Sequence, residues 1–454
     1  MRAAVAVLAL ALAACTTAPA VSFDADRALA HVRYLGDPAR GGRLSGSPQF
    51  DEAARYVADQ FREIGLEPLG DGGSYLQRFS MPIVGLTAMP SLEMIAPATR
   101  TFSVRRDFNE YVSGRAGGGA ADALISVVGA ADRDDFTGAN VSGRITLVTN
   151  TSKGNPVEQS FQRGAVGVLI VAPHPEIRFS YLPFLETTTI PVLQISDALA
   201  DALLAASGRH LADLRDAVDR RHADAGLPPT GVDLTTRVRM SVPLGALHNA
   251  DAANVVGLLR APDASGATRA VLVGGHLDGL GTDPDGTVFP GANDNASGVA
   301  IVIEAARALA AKRSSLTHSI VFVAFGGEEE GYLGSAAYIR MMSASPGRVE
   351  SVIAMLNADA AGCCGTKLGA SAEDAGLQAR VRAAIERSGI PYAPVSGGSD
   401  HQSFARAHVP AVLVQWDDLV LHVPGDTVSR IDAAHLRGPG QVIASVALDL
   451  ATER

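Results

Sequence analysis

The chain has 454 residues, 47% of them hydrophobic and 19% charged, an ordinary globular composition with length for two or three domains. Its formal net charge of -10, without a cluster of Lys and Arg, excludes a protein built to grip nucleic-acid phosphates. The expected partners are small molecules or peptides, with no nucleic acid.

In chain order, the first residues, MRAAVAVLALALAACTTAPA, set Arg2 before an apolar stretch of signal-peptide length, too short for a spanning helix. Leu12-Ala13-Ala14-Cys15 resembles the bacterial lipobox, which makes 1–15 a signal and Cys15 a lipid anchor, the membrane contact expected of the chain. Thr16 in place of an aspartate implies, by that resemblance, an outer-membrane lipoprotein facing the periplasm. The alternative is an ordinary cleaved signal and a soluble periplasmic or secreted product.

Ser47-Pro48 then opens a helix with a capping residue and a first-turn proline, and Phe50, Ala54, Val57, Phe61 and Ile64 form its apolar stripe up to Gly65. Short alternating runs to about Val112 predict strands. Gly114 to Asp122 (GRAGGGAAD) and Ala225 to Gly231 (AGLPPTG) predict small-residue joints, with an inserted domain over 113–232 between the parts 16–112 and 233–454 of a second domain. DDFTGANVSGRITLV, RGAVGVLIV and TTIPVLQIS in that stretch resemble the protease-associated domain, a small β-rich insert that lids or orients a site.

From Asn254 onward, NVVGLL, AVLVGG, SIVFVAF, VIAMLN and AVLVQW are short, mostly β-branched runs expected of strands covered on both faces. Helical stretches such as Ser297 to Lys312 alternate with them, which predicts an α/β fold with a mixed, mainly parallel, doubly wound sheet and ligands at the carboxyl ends of its strands. Imidazoles and carboxylates follow those ends: His276 and Asp278, then Glu328-Glu329-Glu330, Asp359 and His422, with Asp294 just before a helix. Buried carboxylates at such density repel one another unless a cation neutralises them. Imidazole with carboxylate and no thiolate fits zinc, with manganese or cobalt as other candidates.

His276-x-Asp278, GANDNASG, GEEEGYLGS, NADAAG, SDHQSF and LHVPGDT, in this order, are similar to the di-zinc aminopeptidase family of metallo-exopeptidases, and GGRLSGSPQFDEAARYVADQFREIGLEP resembles that family's start. The resemblance implies the zinc-exopeptidase (phosphorylase/hydrolase-like) fold and two Zn2+ ions, one held by His276 and Asp359, the other by Glu329 and His422, with Asp294 bridging. It implies that Asp278 accepts a hydrogen bond from His276 and that Glu328 is the general base and acid for hydrolysis of N-terminal residues from peptides. If the backbone at Glu328-Glu329 is near-extended, their side chains point to opposite sides, so one can bind metal while the other reaches a water. Glu330 reads as an ordinary charge near a helix N-terminus.

Departures from the family pattern matter. Leu421 precedes His422, and Ser396 stands in the loop before Ser399-Asp400-His401, where many family members carry a tyrosine that helps the oxyanion; Tyr332 or Tyr392 are the candidates to replace it, the alternative being the metal alone. His401 is an alternative ligand to His422, which its following Pro-Gly-Asp-Thr favours. The adjacent Cys363 and Cys364 are expected as thiols, because a disulfide between neighbours is strained. Other readings on this scaffold are a single-zinc glutaminyl cyclase, a carboxypeptidase or other amide hydrolase, and a receptor-like binding protein without catalysis. Oligomeric state is open.

Overall fold

The computed structural model describes residues 21–179, 181–262, 269–344, 351–417 and 421–453. The expected signal and the Cys15 anchor lie outside these residues.

The larger part of the molecule is built from α1 (Ala25–Leu35), α2 (Pro48–Ile64), β1 (Leu76–Ile83), β2 (His248–Leu259), β3 (Ala270–His276), α3 (Gly298–Ala310), β4 (Ser319–Phe325) and α4 (Leu333–Ser343). It continues through β5 (Val352–Ala358), β6 (Leu368–Ala372), α5 (Ala375–Arg387), β7 (Tyr392–Pro394), α6 (His401–Arg406), β8 (Ala411–Trp416) and α7 (Ala433–Thr452). Helix α2 forms as its sequence dictates: the Ser47 hydroxyl accepts the Phe50 amide, Pro48 sits where no intrahelical donor is needed, and Gly65 ends the helix in the left-handed region.

The nine-stranded sheet runs Glu67–Pro68, β2, β4, β3, β5, β8, β6, β7, with β1 also paired to β2. Its centre, β4-β3-β5-β8, is parallel, whereas β2 and β6 join antiparallel on either side, so the sheet is mixed with a parallel heart. Every residue of β4 is buried, because α1, α3 and α7 contribute to the core on one face and Tyr338, Met342 and Phe404 of α4 and α6 pack on the other. Register places His276 opposite Phe325 and Ala358 opposite Val414, so the central strands deliver their following loops to one edge.

The smaller part, called the insert below, is a second nine-stranded sheet whose strands run from Ser91–Ala96 to Val232–Val242, wider than 113–232 at both ends. Its two connections run side by side: the Thr87 amide donates to Pro243 O at 2.8 Å and the Gly245 amide to Gly85 O at 2.8 Å. The stretch Gly114 to Asp122 is no joint. It lies within strands Gly114–Gly117 and Gly119–Val127, where small residues serve close approach: a Cβ on Gly117 would sit 2.7 Å from Thr189 Cβ. The expectation for Cys363 and Cys364 is also corrected. They form a disulfide, with Cys364 in the left-handed region (φ 77°), a backbone twist that adjacency in the sequence does not reveal.

Candidate active site

Side chains at or after the ends of the central parallel strands turn toward the same spot. Strand β3 ends on His276, and Asp278 follows it. After β4, Gly326 and Gly327 turn the chain sharply: the Gly326 amide donates to Asn254 Oδ1 at 3.1 Å and the Gly327 amide, at φ 67°, to Ser45 Oγ at 2.8 Å. Helix α4 can start against this turn because residue 334 is glycine; a Cβ there would lie 1.9 Å from Gly326 O.

Glu328 to Glu330 are therefore not extended. They form a turn in which the amides of Gly331 and Tyr332 both donate to Glu328 O at 2.8 Å, and the three carboxylates leave it in different directions. Glu329 Oε2 lies 3.3 Å from His422 Nε2. Glu328 Oε2 lies 4.0 Å from His276 Nε2. Glu330 is not an exposed helix-end charge: it is 5% exposed, next to a cavity of about 140 Å³ that Arg178, Tyr181 and Asp283 also line. Crowding by burial, Asp278 and Glu329 pushes its carboxyl well up.

Asp294 stands between two groups. Its Oδ1 is 3.1 Å from His276 Nε2, and its Oδ2 is 3.1 Å from His422 Nε2. Asp359 Oδ1 is 3.4 Å from the same His276 atom. His276, Asp294 and Asp359 form one set of atoms close enough to hold a metal ion, and Asp294, Glu329 and His422 form another. His401 joins neither; it is buried beside a different cavity, with burial holding its imidazole down at about 4. Asp278 departs from expectation, because His276 Nδ1 faces its main-chain oxygen at 3.2 Å and its carboxylate only at 3.7 Å. The carboxylate instead accepts the Glu329 amide at 3.1 Å.

Electrostatics express the crowding. Burial, then Glu329, Asp359 and Asp400, drive the Glu328 carboxyl well up against the pull of His276. Burial pushes Asp278 up to about 6, and with Asp278 and Asp359 it pushes Asp400 up to about 7. His276 and His422 are both held well above the usual imidazole range because nearby carboxylates outweigh their burial. Asp294 is pulled far down by the two histidines despite burial.

Three supporting residues carry no role in the sequence reading. Arg43, fully buried, donates to the main-chain oxygens of Leu35, Leu277, Pro290 and Gly291 at 2.7–2.9 Å, tying the His276 and Asp294 loops together. Asp426 accepts the amides of Asn293 and Asp294 at 2.8 and 3.0 Å. Asp400 is buried close enough to Glu328 to raise it. The only signals were their places in GGRLSGS, HVPGDT and SDHQSF.

These groups open on a cleft of about 760 Å³. Glu328, Tyr332, Leu421 and His422 line one side; Tyr111, Phe179, Leu182 and Phe184 of the insert line the other. Tyr332 reaches it because residue 398 lacks a side chain, a Cβ there falling 1.9 Å from the Tyr332 hydroxyl. Tyr392 does not; its hydroxyl accepts from Gln378 Nε2 at 2.8 Å on the edge strand β7.

The chain is similar to known proteins in sequence and in fold. Residues 254–447 match Peptidase family M28. The M28 segment begins in β2 and contains His276, Asp294, Glu329, Asp359 and His422. A fungal protein named "Probable leucine aminopeptidase", from Arthroderma otae, is 29% identical over 198 residues, 40% of this chain and 54% of its own length, so the chain spans about half the length of the curated relatives it matches. The whole fold is similar to that of an aminopeptidase from Aneurinibacillus sp. strain AM-1, with 22% identity, 95% of each chain covered and a TM-score of 0.70. It is also similar to a zinc aminopeptidase from Bacillus subtilis, with 21% identity, 95% and 96% covered and a TM-score of 0.67. Since 95% of the chain is covered, the shared fold takes in the insert beside the M28 segment.

Proposed function

We propose that the chain is a zinc-dependent aminopeptidase whose site holds two metal ions and whose general base is Glu328. The observation that carries this reading is Asp294, whose two carboxylate oxygens face two histidines at equal distance. The donor set fits: imidazoles and carboxylates without a thiolate, in two groups that share one buried carboxylate, suit zinc better than calcium or magnesium. His276 and Asp359 would hold one ion, Glu329 and His422 the other, and Asp294 both. When bound, the ions supply Lewis acidity toward water and the scissile carbonyl.

The chain's own groups do the rest. Glu328 stands beside both sets without belonging to either, so it is free to take a proton from the attacking water and return it to the leaving amine. A carboxyl raised by burial suits that exchange near neutral pH better than an exposed one. Tyr332 directs its hydroxyl into the same cleft and is the candidate donor to the oxyanion in place of the tyrosines missing at Leu421 and Ser396. The insert, which we read as protease-associated in type, walls the cleft from outside. The test is an assay of zinc-loaded protein on aminoacyl arylamides, N-blocked controls and N-terminal glutaminyl peptides, with and without chelator. Cleavage confined to free-amine substrates and lost on chelation is expected; cleavage of blocked substrates or release of pyroglutamyl products overturns the reading.

A further inference from the structure

The insert does more than cover the cleft. Its segment from Arg178 to Phe184 presents two faces to the M28 segment: Phe179, Leu182 and Phe184 line the cleft, whereas Arg178 and Tyr181 turn into the protein and are buried. At the head of this segment the Arg178 amide donates to the main-chain oxygen of His422 at 3.1 Å. His422 itself lies in the left-handed region, φ 58°, which a residue with a side chain adopts when its surroundings hold it there.

The Arg178 side chain is anchored in turn. Its Nη1 lies 3.2 Å from Asp283 Oδ1, and its guanidinium lies 5.0 Å from the Phe289 ring. Asp283 belongs to the loop of the short hairpin Gly281–Thr282 and Val288–Phe289, between Asp278 and Asp294. Arg105 of the insert grips the same Asp283 with Nε at 2.8 Å and Nη2 at 3.0 Å, and grips Glu110 with Nη1 at 2.7 Å and Nη2 at 3.1 Å. The Tyr181 hydroxyl donates to Glu110 and closes the circuit. The side chains of both arginines are at most 10% exposed and both carboxylates fully buried, so the pairs are little screened by solvent. Hydrogen bonds fix the Arg105 pairs in geometry, whereas Arg178, whose Nη1 makes no hydrogen bond, is held to Asp283 by charge and by packing on Phe289.

We propose that Arg178 is a positioning residue: paired with Asp283, it sets the place of His422 and thereby the metal affinity of the Glu329–His422 group, leaving the His276–Asp359 group unaffected. This rests on the two-ion reading above. Residues that orient a metal ligand change affinity by about tenfold to a hundredfold when removed, and an effect confined to one of two sites is not what a general loss of stability produces.

The test is calorimetric titration of the zinc-free full chain with zinc. The unmodified protein is expected to take up two ions. Arg178→Ala should leave one ion's affinity unchanged and weaken the other by about tenfold or more, with partial recovery in Arg178→Lys. The double variant assigns the weakened ion: Arg178→Ala should add nothing to His422→Ala but should add to Asp359→Ala. Should Arg178→Ala fail to fold, Asp283→Asn removes the same anchor with little change of shape and carries the same expectation. Equal weakening of both ions, or of neither, overturns the proposal. Uptake of a single ion by the unmodified protein overturns instead the two-ion reading beneath it.

Discussion

Glu328 and Glu329 are neighbours in sequence and differ in what they touch, so exchanging one carboxylate for an amide should separate their roles. Glu328→Gln keeps the shape of the side chain and removes its basicity; kcat should fall by about 10²–10⁴ while zinc stoichiometry, read by atomic absorption, stays at the unmodified value. Asp294→Ala removes the carboxylate that both histidines face, so hydrolysis and zinc should be lost together. Near-normal turnover in Glu328→Gln would end its assignment as base. Glu330, the third of the run, shows what single residues conceal. A charged side chain beside a helix start reads as solvated, yet Glu330 is buried beside a cavity that Arg178 and Asp283 also line, and neither lies near it in the chain.

At the scale of elements, the strands were legible because they are uniformly apolar and the ligands follow them directly: His276 after AVLVGG, Asp359 after VIAMLNA, Glu328 and Glu329 after SIVFVAFGG. The turn after β4 was not. An extended continuation is the default after a strand, but Gly327 at positive φ, held by Ser45, and the close packing of Gly334 on Gly326 impose a turn. The insert's limits were hidden for a related reason. Ser91–Ala96 pairs with Val232–Val242 across a long sequence separation, and a glycine-rich run that serves close strand packing is indistinguishable in sequence from a hinge. The turn after β4 also ends at Tyr332. If its hydroxyl meets the oxyanion, Tyr332→Phe should lower kcat about 10²-fold with little change in KM, whereas a tyrosine that merely packs would leave both alone. On the opposite wall Phe184 is 63% exposed, a large apolar surface left to solvent beside the site. Phe184→Ser should reduce kcat/KM about tenfold for leucyl and phenylalanyl arylamides and little for alanyl ones, which steady-state kinetics on the three substrates would show.

For the molecule as a whole, the site gathers buried carboxylates whose like charge the proposed zinc would offset. Without metal, protons take that place: Asp278, Asp400 and Asp426 rise to about 6, 7 and 6, and His276 and His422 are also raised. Each of these groups binds its proton more tightly folded than unfolded. For the three aspartates the stabilisation is complete below the unfolded carboxyl range, near 4, and is lost as pH rises through 6 to 7; for the histidines it is lost above their raised values. Zinc-free protein should therefore become less stable from about pH 5 to pH 8, while zinc-loaded protein, whose ligands are held by the ions, should lose much less. His401, held down at about 4 by burial and Arg406 and belonging to neither metal group, should titrate alike in the two forms and cancel from their difference. The gap in unfolding midpoint between chelated and zinc-loaded protein, followed by thermal melts at pH 5, 6.5 and 8, should widen steadily with pH. A gap that is constant, or that narrows, would mean that the buried carboxylates and histidines are not what the metal neutralises.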